Sequence, residues 1–359
     1  MQQESIPLIK VHGAPYRRGL QHGRACGDLI RRYPDVLGEV LRAEAQWRAL
    51  DVTRPLPGRE ELFARAMRFL PALEAFAPHL VEELRGIADG ARLPFAEVLL
   101  VNVRAEVMGL TTADAACTAF AAGRTATAEG RVMSGQTLDQ HPLNRELLIV
   151  LHVEPDQGPA ALMCSFAGLI GYPGINAAGV SFFQNALSTP VWCASAMPHY
   201  LMKRVLLEQA TLAGCLSAAR RAPVCSSTNY VVTDGTGKLA DFEVTPDGTE
   251  VLEAERDILV HTNHFLSAKL LPQEALLPNI PDSAKRAPRM QELLFARHGR
   301  LTIDDLKNAL SDHDGAPVSI CRHEPANQTI AAIIAEPEDG RLHVAGGHPC
   351  SSSFSVYSL

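Results

Sequence analysis

The chain has 359 residues, 47% of them hydrophobic and 20% charged, with a formal net charge of −7. That balance is ordinary for a globular protein, and the negative sign gives no footing for a polyanion such as nucleic acid. The length exceeds what one simple core usually holds, so two domains or one large layered domain are expected.

The opening MQQESIPLIKVHG lacks the charged lead, apolar run and small-residue cleavage site of a secretory signal, and no stretch of about 18 apolar residues reads as a membrane span. A cytoplasmic location is expected. The eight cysteines are widely spaced with no CxxC pair, which disfavours a disulfide scaffold and a zinc knuckle.

In chain order, a short strand IPLIKV comes first. Helical spacing of apolar and charged positions then runs from Pro15 to about Gly109, including Glu60 through Ala77 and HLVEELRGIADG, with Gly90 in a helix-capping position. The character changes near Thr111. From Cys117 onward come the strand-like runs VMSGQTL, ELLIVLHVEP, ALMCSFAG and AAGVSFFQNAL, parted by Gly, Pro and Asp turns.

A helical pair spans Pro198 to Ala222. The strands NYVVTD, KLADFEVTP and DILVHTNHF follow, joined at Asp234-Gly235 and Pro246-Asp247-Gly248, as in an antiparallel meander. A helical stretch from Ser283 to Leu310 precedes two final strands, QTIAAIIAEP and RLHVAGG, joined at Asp339-Gly340. Helices and strands come in blocks, which favours an α+β layered fold with antiparallel sheet over a doubly wound one.

The dipeptide Ala116-Cys117 stands where the small, polar TTADAA gives way to the strand-like CTAF. A cysteine that begins a polypeptide carries its own base, because its α-amine can take the thiol proton. Cleavage before Cys117 would therefore create a complete nucleophile. The competing reading is a buried structural cysteine at a strand start.

CTAF followed in order by GQTLDQ, GINAAGVSFFQNAL, STNYVVTD, VHTNHF, PDSAKRAPRMQELL and PVSICR resembles the isopenicillin N acyltransferase family of self-processing cysteine N-terminal nucleophile hydrolases. The opening VHGAPYRRGLQHG resembles that family's usual start. The resemblance covers most of the chain and implies a four-layer αββα sandwich. It also implies cleavage between Ala116 and Cys117, giving a helical α fragment, residues 1–116, that stays associated with a β fragment, residues 117–359, carrying the catalytic core.

The resemblance further implies roles for four residues. Cys117 is the nucleophile. Asp139 would hold the new ammonium and manage its proton, Asn263 would donate to the oxyanion, and Arg322 would stand beside Cys117 or pair with Asp139. Read alone, Asp139 is also a turn carboxylate, Asn263 a buried amide satisfying strand ends, and Arg322 a structural ion-pair partner. Thr118, Gln136 and His264 are candidate supports, and Cys321, on an alternating strand, reads as core.

His261 and His264 are weak metal candidates, and the family needs no metal or other cofactor. Two departures stand out: Ala116 occupies a place often held by Gly, and Gln136-Thr137-Leu138-Asp139 replaces a common QNWD, so the acyl pocket is expected to differ.

The leading functional expectation is an amidohydrolase that cleaves a small N-acyl amide through a Cys117 thioester. An N-acyltransferase passing the acyl group to an amine shares that mechanism. A non-catalytic or unprocessed protein of the same fold, and a conventional Cys117 hydrolase using His261 or His264, stay open. Partners are expected to be a small-molecule amide and the chain's own two fragments, and a homo-oligomer is compatible with the sequence.

Overall fold

The computed structural model describes residues 6–47, 57–108, 116–190, 193 and 196–359. The chain opens with strand β1 (Leu8–Gly13) and five helices, α1 (Pro15–Trp47), α2 (Arg59–Met67), α3 (Leu70–Phe76), α4 (Pro78–Ala91) and α5 (Phe95–Met108). Strands β2 (Ala119–Ala122), β3 (Met133–Gln140), β4 (Leu148–Pro155), β5 (Ala161–Phe166), β6 (Gly174–Asn176) and β7 (Ser181–Phe183) follow. Helices α6 (His199–Leu207) and α7 (Leu212–Arg221) precede β8 (Thr228–Thr233), β9 (Leu239–Thr245), β10 (Gly248–Leu252) and β11 (Ile258–His261). Helices α8 (Ser283–Ala296) and α9 (Ile303–Leu310) and strands β12 (Gln328–Glu336), β13 (Arg341–Gly346) and β14 (Phe354–Ser358) complete the described elements.

The strands form an eight-stranded sheet, β1-β4-β5-β6-β7-β8-β9-β10, and a six-stranded sheet, β11-β2-β3-β12-β13-β14. Alternation within each strand builds the layers. In β2, Ala119 and Ala121 join Ile333, Ala335, Val150, Leu162, Phe166 and Val231 in the core between the sheets. Their neighbours Phe120, Ala122, Ala332 and Ile334 face outward onto Met290, Leu294, Leu306 and Leu310 of α8 and α9. On the far side, Ile149, Leu151, Phe182 and Val232 pack under the helices of the first third and under α6 and α7. The fold is α+β, a four-layer αββα sandwich.

Several expectations are corrected. Strand β1 pairs in parallel with β4, from Leu8 opposite Val150 to Gly13 opposite Pro155, so the eight-stranded sheet is mixed. Three strands escaped the sequence reading, the three-residue β6 among them. Partly exposed β10 carries no buried apolar run, and β14 alternates half-buried and exposed positions. The expected helix from Ser283 to Leu310 breaks into α8 and α9, the second started by a capping box of Thr302 and Asp305. The strand expected over DILVHTNHF ends at His261. The helical layer over the eight-stranded sheet draws on residues before 116, so the sandwich spans both expected fragments. Among the described residues, no helix is long and apolar enough to cross a membrane.

Gly90 is not a cap. Helix α4 runs past it and ends at Arg92, which adopts φ 56°. Gly90 instead lets α4 touch α1: a Cβ there would sit 2.4 Å from the Leu20 carbonyl oxygen, and one at Gly86 would sit 2.1 Å from that of Tyr16. Gly19 and Gly23 answer from α1, where a Cβ would fall 1.9 Å from the Glu83 oxygen and 2.2 Å from the Ile87 oxygen. Alanine gains about 1 kcal/mol in helix propensity over glycine, but separating two packed backbones typically costs 1–3 kcal/mol or more. Gly86→Ala is therefore expected to lower the thermal midpoint, and an unchanged or higher midpoint would refute this close-packing account.

Candidate active site

Cys117 lies just before β2, which runs between β3 and β11. Its side chain is fully buried in the core between the sheets. Register brings Asp139 beside it, because β3 pairs antiparallel with β2 and an isolated bridge joins Ala116 to Asp139. Residues Thr111–Ala115 of the preceding segment lie outside the described residues.

The Ala116-Cys117 peptide is held from both sides. The Asp139 N–H donates to the Ala116 carbonyl oxygen at 3.0 Å. The Cys117 N–H donates to Asn263 Oδ1 at 2.9 Å. One contact polarises the carbonyl that a thiol would attack, and the other holds the nitrogen that would leave.

Asn263 stands two residues past β11. Its Oδ1 also accepts from Arg286 Nη2 at 2.9 Å, and its Nδ2 donates to the Ala186 carbonyl at 3.2 Å. Two donors converging on one atom identify it as the oxygen, which fixes the direction of the amide. Its backbone N–H is held by Ser283 Oγ at 2.7 Å.

Sequence reasoning gave Arg286 no role. It sits on α8, where its guanidinium reaches four partners: Nη1 donates to the Cys117 carbonyl at 2.6 Å and to Thr118 Oγ1 at 2.9 Å, Nη2 to Asn263, and Nε to Asp282 at 2.8 Å. Its signal was present in PDSAKRAPRMQELL, where Asp282 and Arg286 stand one helical turn apart.

Arg322 is buried, but its ion pairs are to Asp282 at 2.7 Å and Glu324 at 2.7 Å. Asp282 thus bridges Arg322 and Arg286. The Arg322 backbone N–H donates to Thr329 Oγ1, which donates in turn to Asp139 Oδ1 at 2.7 Å. Arg322 therefore adjoins Asp139 through Thr329 and reaches the Cys117 environment through Asp282 and Arg286.

Of the expected supports, Thr118 accepts from Arg286, and its N–H donates to Thr137 Oγ1 at 3.1 Å. Gln136 is buried and accepts from the Gln184 N–H at 2.9 Å, tying the two sheets together. His264 Nδ1 lies 2.8 Å from Ser283 Oγ, behind Asn263. Both ring nitrogens of His261 are committed, one 3.0 Å from Glu243 Oε1 and the other 2.6 Å from the Thr262 carbonyl. Neither histidine has a hydrogen bond to Cys117 among the described residues, which leaves the conventional Cys–His reading without geometry.

Burial pushes the Cys117 thiol up to about 12, with the Asp139 charge adding to it and Arg286 and Lys203 opposing. An uncut chain therefore holds a thiol, not a thiolate. Burial also raises Asp139 from 3.8 to about 6, against the pull of Arg286 and the Thr329 hydrogen bond. The folded chain then holds that proton more tightly than the unfolded chain does, so this contribution to stability is complete below pH 3.8 and is lost as pH rises through about 6. Asp139→Asn is expected to flatten this segment of the thermal midpoint against pH curve; an unchanged slope would remove Asp139 as its source.

Two further features surround the site. The side-chain amide of Asn185, next to Ala186, is buried with both polar atoms unpartnered among the described residues. Lys203 is buried without an ion pair among the described residues, its ammonium 4.6 Å and 4.4 Å from the ring centres of Tyr172 and Tyr200, and burial holds it well below the usual lysine range.

Four αββα layers with a cysteine heading a central strand define the N-terminal nucleophile hydrolase fold. The family profile for acyl-coenzyme A:6-aminopenicillanic acid acyl-transferase matches residues 125–350. The chain belongs to that family and is an enzyme of this class. It is 26% identical over 316 residues to the 40 kDa form of acyl-coenzyme A:6-aminopenicillanic-acid-acyltransferase of Emericella nidulans, covering 88% of this chain and 84% of that one. An uncharacterised protein of Archaeoglobus fulgidus is 24% identical over 352 residues, covering 84% of this chain and 57% of its own. Among solved structures, a conjugated bile acid hydrolase variant from Clostridium perfringens is similar at 15% identity and a TM-score of 0.46, over 68% of this chain and 97% of that one. Penicillin V acylase from Agrobacterium tumefaciens is similar at 12% identity and a TM-score of 0.46, over 68% and 86%.

Proposed function

We propose that the chain cuts itself before Cys117 and then acts as an amidohydrolase on a small N-acyl amide. The observation that carries this reading is the clamped peptide: its carbonyl oxygen on the Asp139 N–H, its nitrogen on Asn263, and the Cys117 sulfur within the same residue. In the first step the sulfur attacks the Ala116 carbonyl carbon and the C–N bond breaks, so the nitrogen gains the thiol proton and becomes the Cys117 α-amine. Water then hydrolyses the resulting thioester and frees the Ala116 carboxylate.

The new amine, with an ordinary pKa of about 8, stands beside the thiol and supplies the base that the uncut chain lacks. A substrate amide follows the same course. Cys117 takes the acyl group, the α-amine carries the proton to the departing amine, and water completes turnover. Asp139 would hold the ammonium form. With Oδ1 of Asn263 held by Arg286 and by the Cys117 nitrogen, Nδ2, which donates to the Ala186 carbonyl in the uncut chain, would be the group that turns to an oxyanion. Asn263→Ala is expected to lower kcat by about 10²- to 10³-fold, the usual cost of one such donor. Steady-state kinetics on processed protein checks this, and a loss confined to KM would exclude the role.

The fragments 1–116 and 117–359 would remain together, because β1 is a strand of the sheet that β4 continues and the first five helices share its outer core. Lys203, buried without an ion pair among the described residues, supports an anionic group on the substrate, whose charge would offset the burial that disfavours the ammonium. The wide spacing of the cysteines along the chain, which is not the pattern of a disulfide scaffold, supports a cytoplasmic location. Acyl transfer to an amine, the activity named for the Emericella relative, is the second reading.

Intact mass under denaturing conditions, followed by trapping with a panel of small amides, tests the proposal. Two pieces and an acyl adduct on Cys117 are expected. Water competing with added amines for that adduct separates hydrolysis from transfer. An active chain that stays whole defeats the self-processing step.

A further inference from the structure

Four residues far from Cys117 in sequence, and unused by its chemistry, come together beside the loop after α9. His313, Cys321 and His323 lie on that loop, and Cys350 lies on the turn between β13 and β14. Their ligand atoms all fall within 4.8 Å of one another. Three of the spacings are tighter still: His313 Nε2 to His323 Nε2 is 3.1 Å, Cys321 Sγ to that nitrogen is 3.4 Å, and Cys350 Sγ to it is 3.5 Å.

One imidazole nitrogen offers either one proton or one lone pair. It cannot satisfy three partners at once, so hydrogen bonding does not account for the convergence. A common central ion does. With metal–nitrogen bonds of about 2.0 Å and metal–sulfur bonds of about 2.3 Å, a tetrahedron has N–N edges of about 3.3 Å and N–S edges of about 3.5 Å. These three spacings fit those edges within about 0.2 Å, and the remaining ones lie within 4.8 Å.

The ligands are also held in place by their surroundings. The Cys321 N–H donates to the Asp312 carbonyl and the His323 N–H to that of Pro317, both at 2.9 Å. The His348 ring lies flat over His323, centres 4.0 Å apart and planes within 9°. Such fixed second-layer contacts orient metal ligands.

We propose that His313, Cys321, His323 and Cys350 bind one zinc ion as a closed, structural site. Two thiolates with two imidazoles are a donor set that zinc takes in tetrahedral form, and four protein ligands leave no position for substrate. Binding releases one proton from each thiol, and the two thiolates then balance the charge of the ion. The clamp ties the turn before β14 to the loop carrying Arg322. That residue lies between two ligands and aims its own side chain at Asp282. The role is one of positioning, and it stands whether or not Ala116-Cys117 is cut.

The test uses the full chain, purified under reducing conditions, incubated with zinc and freed of excess. Elemental analysis is expected to find close to one zinc per chain, and Co(II) exchanged into the protein should show the visible bands of a tetrahedral thiolate centre. Cys350→Ser and His313→Ala, both at exposed positions, should each lose most of the bound zinc while keeping a wild-type far-UV spectrum. A chelator should lower the thermal midpoint of the wild type and leave that of the two variants unmoved. The proposal is overturned by wild type that holds no stoichiometric zinc, by another metal in its place, by a Cys321–Cys350 disulfide in a peptide map, or by variants that keep full zinc.

Discussion

Cys117→Ala is expected to give one piece of 38.8 kDa under denaturing conditions, where wild type gives two. Turnover should fall by roughly 10⁴- to 10⁶-fold, the scale on which removal of a nucleophile acts. The change deletes one sulfur from a fully buried position, so the fold should persist. Both losses have one origin: the sulfur supplies the electron pair for attack on its own chain and on substrate. The two readouts can still disagree. A variant that remains uncut yet active would place the chemistry elsewhere, and a wild type that is uncut and inactive would favour the non-catalytic reading.

Arg286 carries the second large effect. Arg286→Met removes four hydrogen bonds at once and leaves Asp282 with Arg322 as its remaining cationic partner. Breaking a buried ion pair from one side costs about 3–5 kcal/mol, so this variant is expected to be destabilised and uncut. Arg286→Lys keeps a charge but not the planar fork that serves Cys117, Thr118, Asn263 and Asp282 together. It should fold, process slowly and show a kcat about 10²-fold lower with KM little changed.

A pH profile separates positioning from mere support. The Arg286 charge holds Asp139 down. Its loss in the methionine variant should move the Asp139 titration upward, while the lysine variant should leave it nearly in place. A profile that is the same in both would reduce Arg286 to a structural pair with Asp282.

The candidate site residues were legible through the resemblance, and strand register explains why some of them are neighbours. Cys117 and Asp139 meet through the pairing of β2 with β3, and Asn263 follows from β11 on the other side of β2. Short apolar runs buried along almost their whole length, such as β2 and β12, announce themselves in sequence. What stayed hidden depends on direction in three dimensions. Nothing in α8 says which of Arg286 and Arg289 turns inward, yet one faces Cys117 while the other pairs with Asp312 near the surface. Gly90 read as a helix end because glycine ends helices, whereas here it admits another backbone.

Cys321 read as core from strand alternation and is buried, yet its sulfur faces His323. Of the four proposed zinc ligands, Cys321 and His323 alone stand close in sequence, as a single Cys-x-His step. Cys350 is 27 residues beyond His323, and only the closing of β13 onto β14 brings it back.

Ala116 packs with Leu276 and Ile280 in a small apolar cluster of its own. On the self-cleavage reading, that cluster holds the acyl side of the first bond Cys117 ever breaks. The protein is then its own founding substrate, and the walls that receive the methyl group of Ala116 are a cast of the acyl donors it later admits. Enlarging Leu276 or Ile280 would tax maturation and turnover together, so mutational drift of substrate range at this wall is confined to shapes through which the chain can still give birth to its own nucleophile.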